Sequence, residues 1–229
     1  MRKILQTGFV LLSLFLVLII FNKIQVVRAG GPVMVLILFS SISAVAVIIE
    51  KYIQFSSESI KSDILIKNIS ESIERQRIKE AIDYCDRTDT SIARVLKAGI
   101  MKYDRPKEEI KEAMQDAFDL EMPLLEDKLP VIDSMIQIIP LFGFLGTLTG
   151  LVRIFNVFSS RLQNLSVLNN ADLIPGMWQA LISSMSAFMV VVPVLLAFNY
   201  LNCKLNAIEK EIEFASTKLL NFLIDRRMP

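Results

Sequence analysis

The chain has 229 residues, 53% of them hydrophobic, and its mean hydropathy of +0.49 is too high for one water-soluble core, which points to a membrane. Its 25 Lys and Arg against 24 Asp and Glu leave a net charge of +1, with no basic excess to displace counterions from nucleic acid, so nucleic acid is not an expected partner. Histidine is absent, which removes the commonest general base, the commonest metal ligand and every Ser-His or Cys-His nucleophile pair. Cys85 and Cys203 stand far apart with no C-x-x-C spacing and read as ordinary thiols rather than a metal clip or a disulfide framework. No catalytic residues, metal site or cofactor are expected, and the chain does not read as an enzyme.

A charge in hydrocarbon is costly, so uncharged runs mark where a bilayer could sit. Four are long enough: Ile4–Asn22, Ala29–Ile49, Ser134–Val152 and Leu173–Cys203. The first belongs to an N-terminal hydrophobic segment, residues 1–28, that reads either as an extra membrane helix or as a signal sequence. Arg2-Lys3, an apolar core and the small-residue ending Val27-Arg28-Ala29 suit the second reading, and a 19-residue uncharged run favours the first. Residues 29–49 form the first core membrane helix.

Residues 50–133 follow as a cytoplasmic helical domain; its 50–128 stretch carries 14 Lys or Arg and 18 Asp or Glu. After Asp104-Arg105-Pro106, a helix start, Ile110, Ala113, Ala117, Leu120 and Leu124 step by three and four residues and predict one apolar stripe. Glu71, Glu74, Glu108 and Glu109 fall in periodic charged helix and read as solvated faces. Residues 134–158 are the second core membrane helix; Asp133 and Arg153 bracket its uncharged part at a separation worth about 30 Å of helix, one bilayer crossing.

That helix contains Pro140-Leu-Phe-Gly-Phe-Leu-Gly-Thr-Leu-Thr-Gly150. Gly143, Gly146, Thr147 and Gly150 share one face, which lets another backbone come close, and Thr147 could also present its hydroxyl to a hydrated path. A periplasmic loop, 159–173, leads to the third core membrane helix, 174–203, where Gln179, Ser183, Ser184 and Ser186 form a polar stripe and Pro193 removes a helical hydrogen bond. No Asp, Glu, Lys or Arg lies in either uncharged run, so a titrating group for proton transfer is expected from a partner. In the cytoplasmic C-terminal helix, 204–229, Leu205, Ile208, Ile212, Ala215, Leu219 and Phe222 keep heptad spacing, suited to packing within the chain or between subunits. With the N-terminus, the 50–128 stretch and the tail inside, 21 basic residues are cytoplasmic, as the positive-inside rule prefers. The fold class is therefore all-α: a polytopic membrane protein whose long helices extend into a cytoplasmic helical domain.

Ala29-Gly30-Gly31-Pro32-Val33-Met34 with Ile48-Ile49-Glu50-Lys51, then Pro140 to Gly150, then Pro175-Gly176 with Ala180-Leu181-Ile182, and finally Pro193 and Asn199, resemble the ExbB/TolQ branch of the MotA/TolQ/ExbB proton-channel family. The resemblance runs from about Ala29 to the C-terminal helix. It implies a bacterial inner-membrane subunit, five copies of which surround a dimer of a single-span ExbD/TolR-type partner carrying the proton-accepting aspartate. It further implies use of the proton motive force to drive a TonB- or TolA-like envelope protein, with H⁺ as the ion. By the same resemblance Thr147 matches the family's pore-facing threonine, Ser184 stands where a second hydroxyl faces the pore, and Gln179 replaces an acidic residue found in many members. Thr147, Ser184, Ser183 and Gln179 are thus the expected proton-pathway or partner-facing residues, and Gly143, Gly146, Gly150 and Pro193 the expected packing residues. The rival reading, encouraged by Gln179, is a non-conducting structural scaffold for a partner subunit.

Overall fold

The computed structural model describes residues 30–74, 77–164 and 169–225. The N-terminal segment 1–28, residues 165–168 of the expected loop and the end of the tail lie outside the described residues. Six helices follow one another: α1 Pro32–Glu74, α2 Ile78–Arg87, α3 Ser91–Met101, α4 Lys107–Glu126, α5 Leu129–Gln163 and α6 Asn170–Asp225. All regular structure among the described residues is α-helical, and α1, α5 and α6 are long and apolar enough to cross a membrane. The chain forms two compact units. One takes the chain up to Ile49 together with Lys128–Asn199, and the other takes Glu50–Asp127 with the chain from Tyr200 onward.

In the first unit, α1 buries Met34, Ile37, Ser41, Ala44 and Ile48 while Val35, Leu36, Phe39 and Ile42 stay exposed. An apolar helix with an apolar outer face is suited to lipid. α5 opens after Lys128, whose φ of 65° breaks the chain direction following Asp127, and Pro130 sits in its first turn, where no N–H is needed. Pro140 in α5 and Pro175 and Pro193 in α6 are carried without ending either helix.

The second unit is held by ordinary water-soluble devices. Pro106 caps α4 at its start, as the Asp104-Arg105-Pro106 signal predicts, and Glu108 and Glu109 in the first turn complement the helix dipole. At the other end of α4 the buried Lys51 ammonium donates to the Leu125 carbonyl over 3.1 Å, a cation on the helix's negative pole. The Thr90 hydroxyl accepts from Ala93 N–H to cap α3, while the Glu58 carboxylate accepts from Ser91 N–H at 3.1 Å, so two of that helix's free donors are met.

The apolar stripe of the C-terminal helix is buried from Leu205 through Ile208, Ile212 and Ala215 to Leu219; Phe222 at its end is half-buried. Packing inside the chain therefore covers it. The stripe predicted on α4 needs correction. Ile110 is buried, but Leu120 and Leu124 are 73% and 60% exposed, and the inward face is instead Ile110, Met114, Glu121, Met122 and Leu125. Glu121 is the reason: Arg94 Nε and Nη2 donate to both its carboxylate oxygens, at 2.5 and 2.7 Å, and this bidentate pair turns a charged residue inward. Arg94 also donates to Asp89, and the Glu121 hydrogen bond holds its guanidinium protonated above its usual range.

Candidate functional site

α5 and α6 meet along the small residues that the sequence places on one face. Gly143, Gly146 and Gly150 are buried, and a methyl group added at any of them would collide with α6. At Gly143 it would reach 2.6 Å from the Ala187 Cβ, at Gly146 it would overlap the Ser183 side chain, and at Gly150 it would reach 2.7 Å from the Gly176 carbonyl oxygen. Gly176 is packed as tightly, against Ile154. Positions 143, 146 and 150 thus interlock with 176, 180, 183 and 187, each series stepping by three or four, which is why the two backbones can approach so closely.

The polar stripe on α6 divides at this seam. Gln179, Ser183 and Ser186 are buried, whereas Ser184 is half-buried on the rim. The Ser183 hydroxyl donates to the Gln179 carbonyl at 2.6 Å and lies 3.5 Å from the Gly30 carbonyl, so its hydrogen-bonding capacity is taken up within the chain. The Gln179 side chain is also engaged: Arg153 Nη1 donates to its Oε1 and its Nε2 donates to Thr149 Oγ1, both at 3.3 Å. The Thr149 hydroxyl in turn donates a hydrogen bond to the Gly146 carbonyl at 2.8 Å. The same amide rests on Gly31, where a Cβ would meet Nε2 at 2.6 Å; with φ of +70° as well, that position suits glycine on two counts.

Thr147 and Ser184 lie on the rim beside Gly143. The Thr147 hydroxyl donates to the Phe144 carbonyl at 2.5 Å, and the Ser184 hydroxyl lies 3.5 Å from the Gly143 carbonyl, one helical turn before Thr147. Both are half-buried. Of the four residues expected along a proton pathway, Thr147 and Ser184 are half-buried, Ser184 against the Gly143 carbonyl and Thr147 on the next turn of α5, whereas Gln179 and Ser183 are held within the packing. Pro193 lies beyond the glycine contacts, in a stretch of α6 where Val190, Val194 and Ala197 are buried. Toward the far ends of the two helices Arg161 pairs with Asp172 at 3.0 Å.

Sequence reasoning passed over Thr149 and Arg153 as partners of Gln179, and Gly31 as its seat. Thr149 and Arg153 are four residues apart and share a helix face, but their link to Gln179 is a tertiary contact 26 to 30 residues distant, which no local spacing reveals.

A helical protein with three helices able to cross a membrane, two of them locked by glycines around uncharged hydroxyl-bearing positions, belongs to the class of multi-pass membrane proteins. Residues 87–214, more than half of the chain, match the MotA/TolQ/ExbB proton channel family, and the chain belongs to that family. It is 28% identical over 171 residues to a putative biopolymer transport protein ExbB-like 3 of Synechocystis, covering 75% of this chain and 80% of that protein. It is 29% identical over 111 residues to the Tol-Pal system protein TolQ of Haemophilus influenzae, covering 47% of each. A putative biopolymer transport protein ExbB homolog of Methanothermobacter thermautotrophicus is 21% identical over 188 residues, covering 80% of this chain and 64% of that protein. These relatives support the ExbB/TolQ branch.

Proposed function

We propose that the protein is the larger subunit of an inner-membrane, proton-motive-force-driven channel complex of the ExbB/TolQ type, working through an ExbD/TolR-like single-span partner on a TonB- or TolA-like envelope protein. Several copies, five by the family resemblance, surround a dimer of the partner, with the C-terminus of each copy in the cytoplasm. The observation that carries this reading is the pair of rim hydroxyls, Thr147 and Ser184, on a seam whose uncharged helical runs contain no carboxylate. Such hydroxyls hold water or hydrogen-bond a partner's carboxyl group, and the partner supplies the group that titrates. Gln179 and Ser183 support this edge from behind by fixing the spacing of α5 and α6.

The engagement of Gln179 by Arg153 and Thr149 also favours a second reading, a scaffold that holds a partner without conducting. Liposomes containing this chain with its single-span partner, loaded with a pH-sensitive dye and given a membrane potential, separate the two. Proton uptake that needs both proteins is expected of the channel subunit, and a complex that assembles but stays proton-tight would establish the scaffold.

A further inference from the structure

The apolar stripe that spacing draws on α4 exists, but it faces away from the core of the second unit: Ala113 and Ala117 are half-buried, and Leu120 and Leu124 are exposed. Its companions at helical spacing are acidic. Asp116, one turn before Leu120, and Asp127, three residues after Leu124, share that face, and no Lys or Arg occurs between Lys111 and Lys128. Large apolar side chains left in water beside unpaired charges mark a surface that another surface covers.

A surface of the complementary kind lies on the outward side of α6 in the same unit. Phe214 is 69% exposed, two residues from the fully buried Ile212 and so on the other side of the helix, and the exposed Lys210 and Lys218 flank it one turn before and one turn after. None of Asp116, Asp127, Lys210 and Lys218 has an ionic partner among the described residues. The lysines stand eight residues apart, about 12 Å of helix, and the aspartates eleven apart, about 16 Å, a difference that flexible lysine side chains span whichever way two such helices run. Within one chain the two surfaces leave each other uncovered, because α4 and α6 face each other through Met114 and Phe118 on one helix and Ser216 and Leu220 on the other.

We infer that the outward face of α4 on one copy docks on the Phe214 face of α6 on the next copy, with Leu120 and Leu124 covering the phenyl ring and the aspartates pairing with the lysines. This rests on the reading, proposed above, that several copies assemble. Charge selects the pairing: two α4 faces together would set Asp116 and Asp127 against their own kind, two α6 faces would do the same with Lys210 and Lys218, and only the mixed contact brings opposite signs together. Apolar side chains at the centre with charges around them are the usual anatomy of an interface formed in water. The contact joins two different surfaces, so it runs head to tail, repeats from copy to copy and closes into a ring where its rotation permits. It gives the assembly a bond between subunits that does not depend on lipid.

Two differently tagged full-length copies test it, one carrying Leu120→Cys and the other Phe214→Cys, both with Cys203→Ser, co-expressed and oxidised in the membrane. A crosslinked dimer should form between the two kinds of copy and be absent when either is expressed alone. Lys210→Glu with Lys218→Glu should weaken assembly of the solubilised chain about tenfold, and adding Asp116→Lys with Asp127→Lys to the same chain should restore it, since every contact then regains opposite charges. An assembled complex, seen by native mass spectrometry, that gives no mixed dimer, links like copies to like, or is indifferent to the charge exchange would overturn this contact and leave the proposed function standing. A chain that stays monomeric at every concentration, with its single-span partner present, would overturn both.

Discussion

The two units solve the same problem, holding α6 against its neighbours, with opposite chemistry. Along Asn170–Asn199 the helix contacts α5 through glycine, alanine and serine, and its largest side chains, Trp178, Leu181 and Phe188, point outward. From Tyr200 onward the same helix buries Leu201, Leu205, Ile208, Ile212 and Leu219, and keeps its charges out of the core, half-buried at Lys204, Glu209 and Glu211 and exposed at Lys210, Glu213 and Lys218. In lipid, large apolar side chains gain nothing by meeting one another, and close backbone approach through small residues gives the packing. In water, burying leucine and isoleucine is the main favourable term. The change of chemistry partway along one helix is a physical boundary between solvents, written in residue size.

If that contrast is right, adding bulk should damage the first unit most. Gly146→Leu drives a side chain into Ser183, and a loss of about 3 kcal/mol or more is expected, seen as failure to recover monodisperse protein in detergent; Gly146→Ala should be milder. In the second unit removing bulk should do the damage: Ile212→Ala empties a fully buried site at a cost of about 3 kcal/mol, read from thermal or denaturant unfolding. A smaller effect is expected for Arg94→Ala. It strands the Glu121 carboxylate, but the Arg94 side chain is 44% exposed, so a cost of about 1–2 kcal/mol is appropriate. Adding Glu121→Gln to that variant should recover part of the loss.

The smallest effect concerns the two cysteines. Burial, aided by nearby Asp86, pushes the Cys85 thiol from its ordinary 9.0 up to about 12, whereas Cys203 is exposed. A folded pKa above the unfolded one means that the stability tied to this group is complete below pH 9 and is lost as pH rises toward 12. Maleimide at pH 7 should therefore label Cys203 in folded, solubilised protein and spare Cys85, with both reacting after denaturation. Equal rates would place Cys85 at the surface. Sidedness is consequently read from Cys203, since Cys85 stays unlabelled whichever side it occupies.

What the sequence made legible was whatever is periodic along one helix. The C-terminal stripe from Leu205 to Leu219 and the run of Gly143, Gly146 and Gly150 could be drawn from spacing alone, and both are buried. On α4 the same method went astray because it counts only apolar residues. It accepted the exposed Leu120 and Leu124 and rejected Glu121, which is buried only because Arg94, 27 residues earlier, neutralises it. The seat of Gln179 on Gly31 and its bonds to Arg153 and Thr149 were hidden for the same reason: they join residues of α5 and α6 to the residue that leads into α1.

The central claim is that this chain's part of the ion path consists of hydroxyl groups, and replacing them tests it most directly. Thr147→Val with Ser184→Val removes both hydroxyls, with little change of volume at Thr147; the Thr147 hydroxyl bonds only within α5, and Ser184 gives up one long 3.5 Å contact with the Gly143 carbonyl, while the glycine contacts of the seam stay intact. Reconstituted with its single-span partner, the double variant should assemble in normal amounts and lose proton uptake driven by a membrane potential. Uptake at the level of the unaltered complex would contradict the account and return both residues to packing.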